Sequence, residues 1–394
     1  MGIQGEYEER LLTGYTGRVF LVASIGYLVV HLGRNILSPL LPNIMDSLQI
    51  TSFQAGVALS LLGVMYAASM YPGGHLSDRL SRKTVIVGAA SLTLVGFAVV
   101  GVAASYPPFL IAAAIIGLGA GLYWIALRAL LADLFIVRRG QAFGLQDALG
   151  SAGPLAAAGG AIVVLWLGNW QLAFPAVIVA LVGMLVLIHV WLREPYVLSP
   201  VSFEALETGR RVFSNQRIRR LSLAYTAVIF PVQGVIGFLP AYLQLERGFS
   251  PTLASLGFAL LFLGAMISMP IAGSLGDRFG YLYVAIGGIC LAGIGLGTFL
   301  VAPGRTPVLI GVLIYAGGTF AFPPVIQAHL MTVFPDASMG GDYGAFKTIY
   351  AGIGSLGPAY VGLIAGLVSY AIAFAGLMGC LILAVVVLTL NGND

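Results

Sequence analysis

Very few charged side chains in this sequence stand where they could do chemistry. Arg34 lies in the middle of the apolar run GYLVVHLGRNILSPLLP, too deep to reach water easily from either end. A guanidinium in such a run is costly and by default marks a functional site. Tyr27, His31, Arg34 and Asn35 follow i, i+4, i+7, i+8 spacing, which puts them on one face of a helix. Facing a watery cavity, the guanidinium fork would grip a carboxylate or phosphate at two points. The competing role is an ion pair with a buried acid that fixes helix packing. Asp147 is the one carboxylate clearly inside an apolar run. It is a candidate for loading and releasing protons, or else the acid partner of Arg34 or of Arg128.

Such residues need a membrane scaffold, and the composition supplies one. Of 394 residues, 59% are hydrophobic and 9% charged, and the mean hydropathy is +0.98. Soluble globular chains carry roughly 25% charged residues, so a soluble enzyme and a disordered chain are both excluded. The 53 glycines suit membrane helices that pack closely through small residues. Cys290 and Cys380 both lie in apolar runs, so neither a disulfide framework nor a cysteine metal site is expected.

Apolar stretches near the roughly 20 residues needed to cross a bilayer recur along the chain. Twelve spans are predicted, at about 19–45, 53–73, 84–105, 107–131, 141–165, 170–192, 221–245, 252–273, 281–302, 307–332, 344–366 and 369–390. The runs are continuous rather than alternating, which predicts helices rather than strands. The N-terminal stretch, with Glu6, Glu8 and Glu9, lacks a basic n-region and cleavage site and reads as a retained cytoplasmic lead-in. With that end inside, sixteen of the 19 Lys/Arg residues fall inside, Arg247 and Arg305 outside, and Arg34 within a span. This bias predicts cytoplasmic N- and C-termini and accounts for the net charge of +4 without nucleic acid. The expected organisation is a cytoplasmic segment 1–18, a six-helix bundle 19–192, a basic cytoplasmic linker 193–220 and a second six-helix bundle 221–390. The RRVFSNQRIRR run of the linker is either an anionic-lipid contact or an ordinary positive-inside loop.

The two halves echo each other. GGHLSDRLSRK after span 2 aligns Gly74, Leu76, Asp78 and Arg79 with Gly273, Leu275, Asp277 and Arg278 of GSLGDRFG after span 8. GQAFGLQDALGSAGP in span 5 aligns Gly140, Gly150, Gly153 and Pro154 with Gly344, Gly354, Gly357 and Pro358 of span 11. A repeat of about 200 residues, six helices each in the same orientation, is one of the known transporter symmetries.

On these residues the chain resembles the major facilitator superfamily over nearly its whole length. Gly74, Leu76, Asp78, Arg79, Arg82 and Lys83 fit the family's motif A, G-x-L-x-D-R-x-x-R-K, and span 5 is similar to its motif C. One position departs. Upstream of Gly117 and Gly119, where motif B carries an Arg linked with proton coupling, this chain has Ala113, which weighs against a standard drug/proton antiporter mechanism. The resemblance implies an all-α membrane protein of 12 transmembrane helices in two six-helix bundles related by a pseudo-two-fold axis. It implies a central cavity lined by spans 1, 4, 7 and 10. Tyr123, Gln233 and Tyr315 on spans 4, 7 and 10 then join Tyr27, His31, Arg34 and Asn35 as candidate substrate-binding residues, and an Arg in span 1 is shared with anion-carrying branches. It also implies a cytoplasmic latch of Gly74, Asp78, Arg79, Arg82, Lys83, Asp277 and Arg278, with Asp78 facing the start of span 11 near Tyr343 and Asp277 facing span 5 near Gln141.

The expected function is therefore secondary active transport of a small organic solute, an organic anion coupled to protons, by a monomer in the cell membrane. No cofactor or metal is expected; the ion gradient, H+, supplies the energy. The alternatives are an efflux antiporter for drugs or metabolites and a transporter-like sensor that binds without net flux. The sequence has no G-x-x-x-x-G-K-[ST], H-E-x-x-H or G-x-S-x-G, so no ATP-hydrolysing, zincin or serine-hydrolase chemistry is read from it.

Overall fold

In the computed structural model, residues 10–197, 199, 216–331 and 339–391 are described. Glu6, Glu8, Glu9 and most of the basic RRVFSNQRIRR run lie outside the described residues. Among those described, every element is helical. The first seven helices are α1 (Gly14–Asn35), α2 (Leu41–Leu48), α3 (Ser52–Arg79), α4 (Arg82–Gly101), α5 (Tyr106–Leu134), α6 (Arg139–Leu167) and α7 (Ala173–Trp191). The other seven are α8 (Gln216–Leu245), α9 (Pro251–Phe279), α10 (Tyr281–Val301), α11 (Arg305–Met331), α12 (Met339–Gly354), α13 (Gly357–Leu367) and α14 (Tyr370–Asn391). Among the described residues, twelve stretches are long and apolar enough to span a membrane, with α12 and α13 together supplying the eleventh. Helices satisfy their own backbone groups, and outward side chains such as Val182, Val186, Ile294 and Ile382 leave an apolar surface that suits lipid.

Two predicted spans differ in detail. The first, read as 19–45, ends at Asn35, and the chain turns before α2 because Pro39 and Pro42 supply no backbone donor. Pro42 sits in the first turn of α2, where its missing N–H costs nothing. The eleventh breaks at Ser355 and Leu356, between Gly354 and the Gly357–Pro358 pair that starts α13. The matching Gly150–Pro154 stretch runs through α6 as one helix.

The chain divides into two compact units, Met1–Leu37 with Met65–Phe203, and Ser38–Val64 with Glu204–Asp394. In the first unit, α1 packs on α6 and α7, and α4 packs on α5 and α7. Gly150 and Gly153 make the α1–α6 approach possible. A Cβ on Gly150 would lie 2.5 Å from Tyr27 Cε1, and one on Gly153 would lie 2.7 Å from His31 Cβ and 2.8 Å from the Leu28 carbonyl oxygen. In the second unit, α11 packs on both α9 and α10, and α8 packs on α14. Residues 38–64 are held there by polar contacts: Ser60 Oγ accepts the Ala359 N–H at 2.9 Å, and the Ser52 and Tyr370 hydroxyls pair at 2.9 Å.

Candidate functional site

The 3.6-residue period of α1 aligns Tyr27, His31 and Arg34 toward α3 and α6 of the first unit. The Tyr27 and His31 rings lie 4.2 Å apart, tilted by 50°. His31 Nε2 is buried without a hydrogen-bond partner. The Arg34 guanidinium sits over the Tyr66 ring, 4.5 Å from its centroid, a cation–π contact that orients the fork. Among the described residues no carboxylate lies within ion-pairing distance of Arg34. Asn35 is committed differently: its side-chain amide donates to the His31 carbonyl at 2.8 Å on its own helix.

Asp147 on α6 pairs with Arg128 on α5, so of the two acid–base pairings open to Asp147 the structure forms the second. Arg128 also lies over the Phe143 and Trp124 rings, at 4.7 and 5.5 Å. The Asp147 side chain keeps 56% of its surface exposed, which leaves the carboxylate open to exchange. Tyr27 stands within the electrostatic reach of Tyr66, Asp147, Arg128 and Arg34 together. The first unit thus gathers two guanidinium groups, one carboxylate, one imidazole and two phenols on α1, α3, α5 and α6. Two guanidinium cations against one carboxylate leave the cluster with net positive charge, the electrostatics that draw an anion.

The remaining candidates fall elsewhere. Tyr123 is fully buried, and its hydroxyl donates to the Ala23 carbonyl at 2.8 Å beside Met184, which places it in the packing of α1, α5 and α7. Tyr315 is buried in the second unit, edge-on to Phe299, its hydroxyl without a partner. Gln233 is half-buried on α8.

Two buried polar residues that sequence reasoning missed are Gln146 on α6 and Ser24 on α1. Gln146 is fully buried with neither amide atom hydrogen-bonded, and Ser24 Oγ is likewise buried and unpartnered. The signal was the i, i+4, i+7 spacing of Gln146, Gly150 and Gly153, which puts the amide on the same face as the two glycines that touch α1.

The motif between α3 and α4 forms a compact network. Arg82 Nη1 pairs with Asp78 Oδ1 at 3.1 Å, and Arg82 Nε with Asp133 Oδ2 at 2.8 Å. Lys83 is buried, and its ammonium donates to the His189 and Leu192 carbonyls at 2.8 and 2.7 Å. It thereby satisfies carbonyls that the end of α7 leaves open. Glu194 accepts the Lys83 backbone N–H at 3.0 Å, and burial pushes its carboxyl above the usual range. The partners seen for Arg82 and Lys83 all belong to the first unit. Arg79 is exposed and its carbonyl accepts from Ser199; Gly74 has open space where a Cβ would go. In the second unit, Asp277 accepts from the Tyr281 hydroxyl at 2.9 Å, and Arg278 is exposed. The side chain of Tyr343 lies outside the described residues.

Comparison with known proteins agrees with this architecture. The family model described as Major Facilitator Superfamily matches residues 23–358. A probable 4-methylmuconolactone transporter of Cupriavidus pinatubonensis is 27% identical over 388 residues, covering 92% of this chain and 89% of that protein. The cis,cis-muconate transport protein of Acinetobacter baylyi is 25% identical over 371 residues, covering 88% and 87%. The multidrug resistance protein MdtH of Salmonella arizonae is 26% identical over 350 residues, covering 86% and 83%. Among solved structures, a bacterial homolog to the human lysosomal transporter Spinster, in an inward-facing and occupied conformation, superposes with a TM-score of 0.84. It is 17% identical and covers 98% of each chain, a likeness of fold alone.

Proposed function

The chain belongs to the Major Facilitator Superfamily, and on that premise we propose that it carries a small organic anion across the cell membrane by alternating access, coupled to protons. The observation that carries the anion is Arg34. Its guanidinium is oriented by Tyr66 and has no carboxylate partner among the described residues, while Asp147 is engaged by Arg128. A charge held inside a membrane span without a counter-ion is stabilised when a ligand brings one. The muconate and muconolactone relatives favour small organic solutes. In this reading Arg34 grips the anion, with Tyr27 and His31 beside it, and Asp147 releases Arg128 when it takes up a proton. The motif at Asp78, Arg79, Arg82 and Lys83, with Asp277 and Arg278, holds the cytoplasmic side closed in one state. The N- and C-termini face the cytoplasm, and one chain suffices.

Proteoliposome uptake tests the reading. Purified protein should accumulate cis,cis-muconate or a comparable small carboxylate when the outside is acidified, and Arg34→Ala should abolish that uptake while leaving the protein folded. The MdtH relative favours the second reading, efflux of drugs. Export of cationic dyes that persists in Arg34→Ala would establish it in place of the first. Binding without counterflow would identify a sensor.

A further inference from the structure

A groove opens on the second unit where α9 and α10, though consecutive, lean apart on a shared floor of α11. Its volume is about 480 Å³, and Gly264, Ile271 and Leu275 of α9, Gly287 and Leu291 of α10 and Gly317 of α11 line it. The lining offers almost nothing to hydrogen-bond. Its one polar side chain, Ser268, turns its hydroxyl to the Ala265 carbonyl of its own helix. Ile267 and Ile271 are 54% and 52% exposed, so the groove opens outward along membrane-spanning helices.

We infer that this groove seats one acyl chain of a bilayer phospholipid. The length fits. From Gly264 to Leu275, α9 rises roughly 16 Å, about half of the ~30 Å hydrocarbon core and hence the depth of one leaflet. The groove runs from the middle of α9 toward the turn at Gly280. There Arg278, Phe279 and Tyr283 are all exposed, a cation and two aromatic rings at the level of lipid headgroups. The medium around a spanning helix consists of acyl chains, and an apolar hollow one chain deep is filled by dispersion contacts with such a chain. Gly287 and Gly317 have nothing within 4 Å of where a Cβ would stand, so the room beside them belongs to the occupant and not to the protein. The site stands whatever the cargo is.

A phosphatidylcholine carrying a diazirine in one acyl chain, reconstituted with the full chain in nanodiscs, tests this. After illumination, label should concentrate on residues 264–275 and 284–291, several-fold above the more exposed face at Val179, Val186 and Val190. Gly287→Leu with Gly317→Leu fills the groove and should remove that excess at unchanged melting temperature. Should the double variant fail to fold, Gly317→Ala alone should still reduce it measurably. Equal labelling of both faces, or full labelling in a folded filled variant, overturns the inference. So does a cysteine cross-link between two copies at Leu291 without lipid label, which would assign the groove to a second copy.

Discussion

Arg128 and Asp147 close an ion pair between α5 and α6, and this pair leaves the Arg34 guanidinium, one helix away, resting on Tyr66 with no carboxylate of its own among the described residues. The acid that could have neutralised Arg34 is thereby committed to Arg128.

Asp147→Asn removes the carboxylate and keeps its shape. Accumulation driven by a pH gradient should vanish while exchange of labelled for unlabelled anion across the membrane persists. A pair that serves packing alone would lose both together, with a lower melting temperature.

Arg34→Lys keeps the charge but replaces a planar fork with a compact ammonium that neither stacks on Tyr66 nor bonds at two points. The KM for the carboxylate should rise at least about tenfold, about 1.4 kcal/mol of lost binding. The maximal rate should fall less. An unchanged KM would remove Arg34 from the binding site.

Gly153→Ala drives a methyl group into His31 Cβ and the Leu28 carbonyl oxygen, and backbone cannot yield as a flexible side chain does. Overpacking of this kind costs about 1–3 kcal/mol, to be read as a lowered melting temperature in detergent. Gly144→Ala on the same helix meets nothing within 4 Å and should be neutral or slightly stabilising, since alanine favours helix by about 1 kcal/mol over glycine.

Glu194 gives a pH signature outside the membrane-spanning helices. Burial raises its carboxyl in the folded protein, so the folded state holds this proton more tightly than the unfolded one. Its contribution is greatest at low pH and declines as pH climbs from the ordinary carboxylate range through the raised value. Glu194→Gln should flatten that part of the melting-temperature profile. A profile identical to that of the unaltered protein would mean that the carboxyl titrates normally.

Most of the architecture was legible because a bilayer asks for long apolar runs, and hydropathy reports them directly. Helix interruptions were less legible: apolarity continues through Ile36–Leu40 and Ser355–Leu356, and only the local prolines and glycines end the rods. Arg34 announced itself by its charge. Its neighbour Tyr66 did not, because a tyrosine in an apolar span carries no signal until the rotation of α3 is known. The basic partner of Asp147 was narrowed to two arginines and no further, since the choice depends on how α5 and α6 cross. Tyr123 read as a cavity residue by its polarity and its helix, yet the small Gly26 opposite lets its hydroxyl reach into the α1 backbone instead. Gln146 was overlooked because an amide in a glycine-rich helix looks unexceptional until its burial is seen.

The two copies of the Gly-Ser-x-Gly-Pro stretch have parted in shape. Around Ser151 the chain is a single unbroken rod, whereas around Ser355 the same letters form an elbow. The second unit thus carries a mid-helix bend at a place where the matching stretch of the first unit runs on unbroken.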